Sequence, residues 1–164
     1  MIIVGFDPGL ATLGYGVISV ERGKKAQIVD YGVGLTPKEE NLPSRLTMLE
    51  KGIKQVIDKF KPDEIAIEEL FFAKNVKTGI AVAHARGVLL LTATKYCGKI
   101  FEYTPLQIKQ ALTGYGRADK NQIQQMVKTL LGLKAVPKPD DAADAIAVAL
   151  AHSQTNNLGG LFKI

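Results

Sequence analysis

The sequence predicts an α/β fold with a five-stranded mixed sheet, in which three antiparallel strands are followed by two parallel strands and helices flank the sheet. Three runs of β-favouring residues at the start of the chain are joined by short connections, and a long apolar-faced helix separates each later strand from the one before it. With 164 residues, of which 46% are hydrophobic, the chain is long enough for one domain with its own core. We expect residues 1–155 to form that domain and residues 156–164 to be a flexible tail.

The first three strands are predicted over Ile2–Phe6, Tyr15–Val20 and Gln27–Leu35. Pro8-Gly9 marks the first turn, and the polar segment Glu21–Lys25 marks the second. Because both connections are short, the three strands should form an antiparallel meander.

Asp7 follows the last residue of the first predicted strand. A carboxylate at the end of a buried strand is costly unless a cation or another group pairs with it, although an ordinary turn cap would also place an Asp there. Gly14 and Gly16 in the returning segment allow its backbone to pass close to a ligand or to another chain.

A helix over Pro43–Phe60 leads into a fourth strand over Glu64–Leu70. A strand, helix and strand in succession form a right-handed crossover, so the fourth strand should run parallel to the first and beside it. Glu68 and Glu69 would then reach the same edge of the sheet as Asp7, and spacing alone leaves open which of the two faces it.

The segment Val76–Tyr96 reads as a long helix that is apolar almost all round, which predicts burial on every face and hence a subunit interface. A fifth strand follows over Lys99–Tyr103. The pattern Thr104-Pro-Leu-Gln107 is a capping box that starts the next helix, which ends near Gly114. The remaining predicted helices span Asp119–Leu131 and Asp140–Gln154.

Two further acids, Asp141 and Asp144, open the last helix and share one of its faces. Helix capping alone would explain both of them. Capping does not explain why acids also end the first and fourth strands, at the edge where sites in open α/β sheets form. Converging carboxylates need cations, and oxygen ligands without His or Cys favour Mg²⁺ or Mn²⁺. A pair of such ions suggests phosphodiester hydrolysis, with one ion activating water and the other stabilising the leaving oxygen.

Lys109 and Lys120 lie near the starts of the two preceding helices and could reach a phosphate, or could be solvated surface residues. Phe71 and Phe72 stand in a polar loop, where they would stack on unpaired bases or form a hydrophobic plug.

The remaining candidate ligands favour structural roles. His84 and His152 lie apart on helices and are interpreted as helix-surface or helix-end residues. Cys97 is the single cysteine and is expected to be a small core residue, so neither a disulfide nor a cysteine zinc site is predicted.

Charge and composition narrow the class of partner. The formal net charge of +5 favours a polyanion such as nucleic acid. No apolar run is judged long enough to span a membrane, and Met1 leads directly into a strand without a signal peptide. We therefore expect a cytoplasmic protein with no membrane contact.

The motifs together resemble the RuvC family, the Holliday-junction resolvases of bacteria. The resemblance runs from Ile3 to His152, and the motifs that carry it occur in order: Gly5-Phe-Asp-Pro-Gly9, Gly14-Tyr-Gly16, Ile67-Glu-Glu-Leu-Phe-Phe-Ala-Lys-Asn75, Ala85-Arg-Gly87, Gln107-Ile-Lys109 and Asp141-Ala-Ala-Asp144-Ala-Ile-Ala. It implies an RNase H-like fold and a homodimeric endonuclease that nicks two opposed strands of a four-way DNA junction. It also implies Mg²⁺ as cofactor, with two ions for each active site.

The resemblance also assigns residues. It places the four acids of the family at Asp7, Glu68, Asp141 and Asp144, and so selects Glu68 over Glu69. Some members of the family carry His where Asp141 stands. The family's basic active-site residues fall on Lys109 and Lys120, and its junction-wedging aromatic residue falls on Phe71. The implied partner is the branch-migration complex of RuvA and RuvB.

Three other functions stay open on sequence grounds. The Asp-x-Gly pattern followed by glycines also resembles the first phosphate loop of actin-like ATPases, but those proteins need two such domains and a second phosphate loop, for which 164 residues leave no room. A junction-binding module with a decayed site is disfavoured by the presence of all four acids. A nuclease of the same fold could instead cut an RNA–DNA hybrid.

Overall fold

The sheet has the mixed topology that the sequence predicts. The computed structural model describes residues 1–69, 76–155 and 163–164. Five strands lie in the order β3-β2-β1-β4-β5. Strand β1 pairs antiparallel with β2 and parallel with β4, which confirms the predicted crossover. The strands span Ile2–Asp7 (β1), Thr12–Ser19 (β2), Gln27–Leu35 (β3), Glu64–Glu68 (β4) and Ile100–Tyr103 (β5).

Two strand boundaries differ from the prediction by more than one residue, because a strand extends only as far as its neighbours pair with it. Strand β2 begins at Thr12, three residues early, because its pairing with β3 extends to Leu35. Strand β4 ends at Glu68, level with Tyr103 at the end of β5. The carboxyl ends of β1, β4 and β5 therefore stop at a common edge.

The helices span Leu42–Phe60 (α1), Val76–Tyr96 (α2), Pro105–Thr113 (α3), Lys120–Leu131 (α4) and Asp140–Thr155 (α5). The predicted capping box is present at α3, where Thr104 accepts from the Gln107 amide and the Gln107 side chain accepts from the Thr104 amide. A second capping box, between Asp119 and Gln122, starts α4. These caps fix where α3 and α4 begin, and hence where Lys109 and Lys120 lie.

Each face of the sheet carries its own hydrophobic cluster, because alternate residues of a strand point to opposite faces. Ile3 packs with α3, α4 and α5 on one face. Val4 packs with α1 and α2 on the other. Both residues are fully buried, so β1 is a central strand covered on both sides.

Helix α5 lies unusually close to the sheet, over a row of glycines. A Cβ atom built on Gly5 would lie 2.1 Å from the Ala145 carbonyl oxygen, and one built on Gly16 would lie 2.6 Å from Ile146 Cγ1. The prediction that glycines of β2 permit a close approach is therefore correct in kind. The element that approaches is α5 of the same chain, rather than a ligand or another chain.

Helix α2 is buried on only one face within one chain, so the predicted burial of its other face by a second subunit stays a prediction. Leu89 and Ala93 are buried against the sheet and α1, whereas Val76, Ile80 and Leu91 are 72%, 52% and 56% exposed. Only one face of α2 has a neighbour among the described residues. The apolar residues on its other faces are left open to solvent.

Helix α2 is also the one described helix that is long and apolar enough to cross a membrane by length and composition. Lys77, Arg86 and Lys95 interrupt its apolar residues, so the expectation that no continuous apolar run spans a membrane stays a prediction. Length and composition alone carry little weight, since core helices pass the same test.

The positions of His152, His84 and Cys97 can be compared with the roles predicted for them. His152 lies in the last turn of α5, as the helix-end alternative predicted, but it is fully buried rather than at the surface. Its Nδ1 is 2.6 Å from the Tyr103 hydroxyl and its Nε2 is 2.8 Å from Glu64 Oε2. His84 is exposed, as expected. Cys97 is partly buried at the margin of a core cluster, with its Sγ 3.5 Å from the Pro62 carbonyl oxygen.

The predicted flexible tail falls mostly outside the described residues, since 156–162 are not among them. Lys163 forms an antiparallel bridge with Phe101, and the Ile164 amide donates to the Ile100 carbonyl oxygen at 3.0 Å. The last two residues are therefore paired with the outer edge of β5.

Candidate active site

Asp7 is the last residue of the central strand and is only partly buried. On one side it pairs with Gly14 of β2, and on the other side β4 runs parallel to β1, with Phe6 level with Ile67. The residue after Ile67 is Glu68. The pairing of the strands therefore brings Asp7 and Glu68 to the same edge.

Glu68, rather than Glu69, belongs to this edge. Glu68 is partly buried and lines a cavity beside the sheet. Glu69 is exposed, and its amide donates to the Tyr103 carbonyl oxygen at 2.8 Å. The backbone therefore directs Glu68 inward and Glu69 to solvent, which agrees with the choice that the resemblance implied.

Helix α5 brings the other two acids to the same place. It begins at Asp140, so Asp141 is its second residue and not its N-cap, which corrects the capping interpretation. The amides of Ala142 and Ala143 donate to the Pro139 carbonyl oxygen, so the first turn is already formed there. Asp144 lies about one turn further along. Ala142, Ala143 and Ala145 are buried, so the contacts of α5 with the sheet hold this turn in place.

The electrostatics of Asp7 show that the acids crowd one another. Burial, together with the negative charges of Glu68, Asp144 and Asp141, raises the pKa of Asp7 from the ordinary value of 3.8 to about 8. The ammonium of Lys120 acts in the opposite direction. Four carboxylates therefore interact around the end of β1, and one of them holds its proton near neutral pH.

The pKa values of Glu68 and Asp144 are also raised. Burial, followed by the charge of Asp144, raises the pKa of Glu68 from 4.5 to about 7, against the lowering effect of Lys120 and Lys109. Burial also raises the pKa of Asp144, although a hydrogen bond from Lys120 opposes this. Negative charge at this edge exceeds what the nearby lysines compensate.

Both predicted basic residues line the cavity next to the acids. The cavity has a volume of about 170 Å³ and is lined by Glu68, Lys109, Lys120 and Asp144, together with apolar residues of α3 and α4. Lys120 Nζ donates to Asp144 Oδ2 at 3.0 Å. Both lysines therefore lie beside the acids, and their contact with a phosphate stays a prediction.

Asp140 is a residue of this region that the sequence did not single out. Its carboxylate lies 3.5 Å from Lys120 Nζ and accepts hydrogen bonds from Lys138 Nζ at 2.6 Å and Gln124 Nε2 at 3.2 Å. Asp140 is partly buried and is contacted by two donors of α4 and by Lys138, so it helps to orient Lys120. Its position next to Asp141 was visible in the sequence, but its lysine partner came from another helix.

Two sequence-based candidates cannot be located in this way. Phe71 and Phe72 lie in residues 70–75, outside the described part of the chain. Whether Phe71 is exposed or buried therefore stays a prediction.

The donor set fits a hard cation. Carboxylate oxygens are the ligands that Mg²⁺ and Mn²⁺ prefer, and a cation would relieve the repulsion that raises the pKa of Asp7. Within residues 1–69, 76–155 and 163–164, however, no three acid, His or Cys side chains are close enough to hold one ion. The carboxylates would have to draw together around a cation.

Comparison with known proteins assigns the chain to a family. The model of the family described as crossover junction endodeoxyribonuclease RuvC matches residues 3–152. The chain belongs to the RuvC family. The RuvC of Alkaliphilus oremlandii is 56% identical over 164 residues, covering 100% of this chain and 99% of that protein. The RuvC of Clostridioides difficile is 52% identical over 163 residues, covering 99% and 96% of the two chains.

Solved RuvC structures agree with this assignment. The Thermus thermophilus RuvC structure has a TM-score of 0.92 at 34% identity, and it covers 100% of both chains. T. thermophilus RuvC in complex with Holliday junction substrate has a TM-score of 0.94 at 34% identity, covering 100% of this chain and 99% of that one. The family resemblance and the RNase H-like fold that it implied are both confirmed.

Proposed function

We propose that this RuvC-family chain resolves four-way DNA junctions in recombination and repair, by hydrolytic nicks in two opposed strands. The observation that carries the proposal is the convergence of Asp7, Glu68, Asp141 and Asp144 at the carboxyl edge of the sheet. The family match over residues 3–152 and the similarity to a junction-bound RuvC support it.

The four acids are proposed to hold two Mg²⁺ ions, for which Mn²⁺ would substitute. Bound cations of this kind supply Lewis-acid activation of water and of the leaving oxygen in phosphodiester hydrolysis. Asp144 is the firmer ligand, because burial and its interaction with Glu68 place it within the cluster. Asp141 serves as a second ligand or as the base that orients the attacking water.

DNA is held by groups at the rim of the same cavity. Lys109 and Lys120 are proposed to contact phosphates close to the bond that is cut, where each ammonium neutralises one negative charge. Phe71 is proposed to stack on a base at the unpaired centre of the junction, on the basis of its sequence position.

A homodimer is proposed through α2, whose exposed apolar residues Val76, Ile80 and Leu91 would be covered by a second copy. A two-fold dimer would present two active sites to opposed strands of a two-fold symmetric junction. From membership of the RuvC family, we propose RuvA and RuvB as partners and the cytoplasm as the location.

A substrate comparison tests the function. The purified chain is incubated in Mg²⁺ with a four-way junction labelled on each strand, with a linear duplex of the same sequence and with an RNA–DNA hybrid. Symmetric nicks in two opposed junction strands are expected, while the duplex stays intact. Preferential cleavage of the hybrid would indicate a different nuclease of this fold, and junction binding without any cleavage would indicate a non-catalytic module.

A further inference from the structure

One contact connects the sheet and α5 at the active site itself. Gly14 pairs directly with Asp7 in the antiparallel register of β1 and β2. A Cβ atom built on Gly14 would lie 2.1 Å from the carbonyl oxygen of Asp141 and 3.3 Å from Asp141 Cβ. The same glycine therefore adjoins one candidate ligand within the sheet and another across the layer above it.

The requirement for glycine at this position is steric. Gly14 is not among the residues with a positive φ, so its extended backbone would suit any residue. The atom that a side chain would meet belongs to the backbone of α5, which cannot rotate away. Restoring an ordinary contact of about 3.4 Å from 2.1 Å would displace the first turn of α5 by roughly 1.3 Å.

The rest of α5 would resist that displacement. Residues 145–151 are 0–2% exposed, and His152 is held by Tyr103 and Glu64 at the far end of the helix. A side chain at position 14 would therefore tilt the first turn of α5 away from the sheet while its later turns stay packed. The tilt would carry Asp141 and Asp144 away from Asp7.

We infer that Gly14 is a positioning residue for the active site: its missing side chain sets the distance between Asp7 on β1 and the two acids of α5. This inference rests on the proposed function. Misplacing a reacting group by about 1 Å can lower a rate about 100-fold. Mg²⁺ demands near-ideal geometry, so a displaced carboxylate pair should impair Mg²⁺ more than the more tolerant Mn²⁺.

The test compares Gly14→Ala with Gly34→Ala in the purified full chain. Gly34 is a matched control on neighbouring β3, where a new Cβ would be 4.0 Å from its nearest neighbour, Leu13 Cβ. Junction affinity is measured without divalent metal, and single-turnover cleavage is measured over a range of Mg²⁺ and of Mn²⁺. The rise in melting temperature that Mg²⁺ causes is measured without DNA.

Gly14→Ala is expected to bind junctions within about threefold of wild type and to melt cooperatively. Its cleavage in Mg²⁺ should fall about 100-fold, should recover in part with Mn²⁺, and its Mg²⁺-induced rise in melting temperature should shrink. Gly34→Ala should match wild type in every measurement. Gly5→Ala, which presses on the middle of α5, should instead lower the melting temperature of the apo protein more than Gly14→Ala does.

Several results would overturn the inference. A Gly14→Ala chain with wild-type Mg²⁺ dependence would show that the contact does not set ligand spacing. One that fails to melt cooperatively would show that Gly14 holds the fold rather than the site. If wild type itself neither cuts junctions nor gains stability from Mg²⁺, the proposed function and this inference fail together. If wild type does both and Gly14→Ala behaves like wild type, only this inference fails and the proposed function stands.

Discussion

The crowding of acids at the end of β1 makes a quantitative prediction for Asp7→Asn. Asn has nearly the same shape as Asp but carries no charge, so the substitution removes one member of the repelling cluster. The pKa of Asp7 is raised from 3.8 to about 8, so the native state keeps a proton that the unfolded chain has already released. Stability of the metal-free wild type should therefore fall as pH rises between these values.

The size of the effect follows from that pKa. From pH 5 to pH 8, native Asp7 stays largely protonated while the unfolded residue is ionised, and each tenfold change in an acid constant is worth about 1.4 kcal/mol. The free energy of unfolding should fall by about 4 kcal/mol over this interval as an upper limit. Asp7→Asn abolishes this contribution, so its stability advantage over wild type should grow with pH.

The assay is urea unfolding in the presence of a chelator at about pH 5 and pH 9. It is followed by far-UV circular dichroism, because the chain has no Trp. Glu39→Gln, which removes one exposed acid, is the matched control and should follow the wild-type pH profile. Asp7→Asn should also keep its junction affinity and lose cleavage. A variant less stable than wild type at pH 9, or one that cuts at a near-normal rate, would refute the account of the site.

Four more predictions concern other parts of the molecule. Asp144→Asn should abolish cleavage at any Mg²⁺ concentration, whereas Asp141→His should keep partial activity; the reverse order would show that the two roles are exchanged. Burial lowers the pKa of His152, so the unfolded chain takes up that proton first and stability is lost as pH falls below about 6.5; in an Asp7→Asn background, His152→Gln should flatten this loss in urea titrations. Leu91→Glu should sediment as a monomer at micromolar concentration while wild type sediments as a dimer, and a monomeric wild type would contradict the proposed interface. Phe71→Ala should lower cleavage far more than melting temperature, since stacking on a base is worth about 1–3 kcal/mol; a variant that unfolds would instead favour the hydrophobic plug.

The sequence predicted the site through residues whose positions the sheet determines. Asp7 and the Glu68-Glu69 pair lie at the ends of strands whose order follows from short turns and one crossover, so the approach of the acids needed no side-chain detail. Only the family resemblance selected Glu68 over Glu69. The capping box at Thr104 placed Lys109 one turn into α3 in the same way. Short sequence patterns such as turns and capping boxes were enough to place residues whose positions depend only on neighbouring segments.

The errors concern residues whose surroundings come from distant segments. The burial of His152 is not predicted, because nothing nearby in sequence indicates its partners Tyr103 and Glu64, which are 49 and 88 residues away. Asp140 was passed over because its partner Lys120 lies on another helix. The even apolar composition of α2 could not reveal which of its faces packs within the chain.

The close fit between α5 and the glycines beneath it restricts how this sequence can vary. A methyl group added at Gly5 or Gly16 meets the helix, so neither residue can enlarge unless the helix shifts as a whole. Ala149 of α5 is limited in the same way from the other side, because its Cβ would lie 3.0 Å from a Cβ built on Gly5. The glycines of the sheet and the facing residues of α5 are therefore sterically coupled. Moving α5 onto another sheet of this fold would require glycines at the matching positions of that sheet.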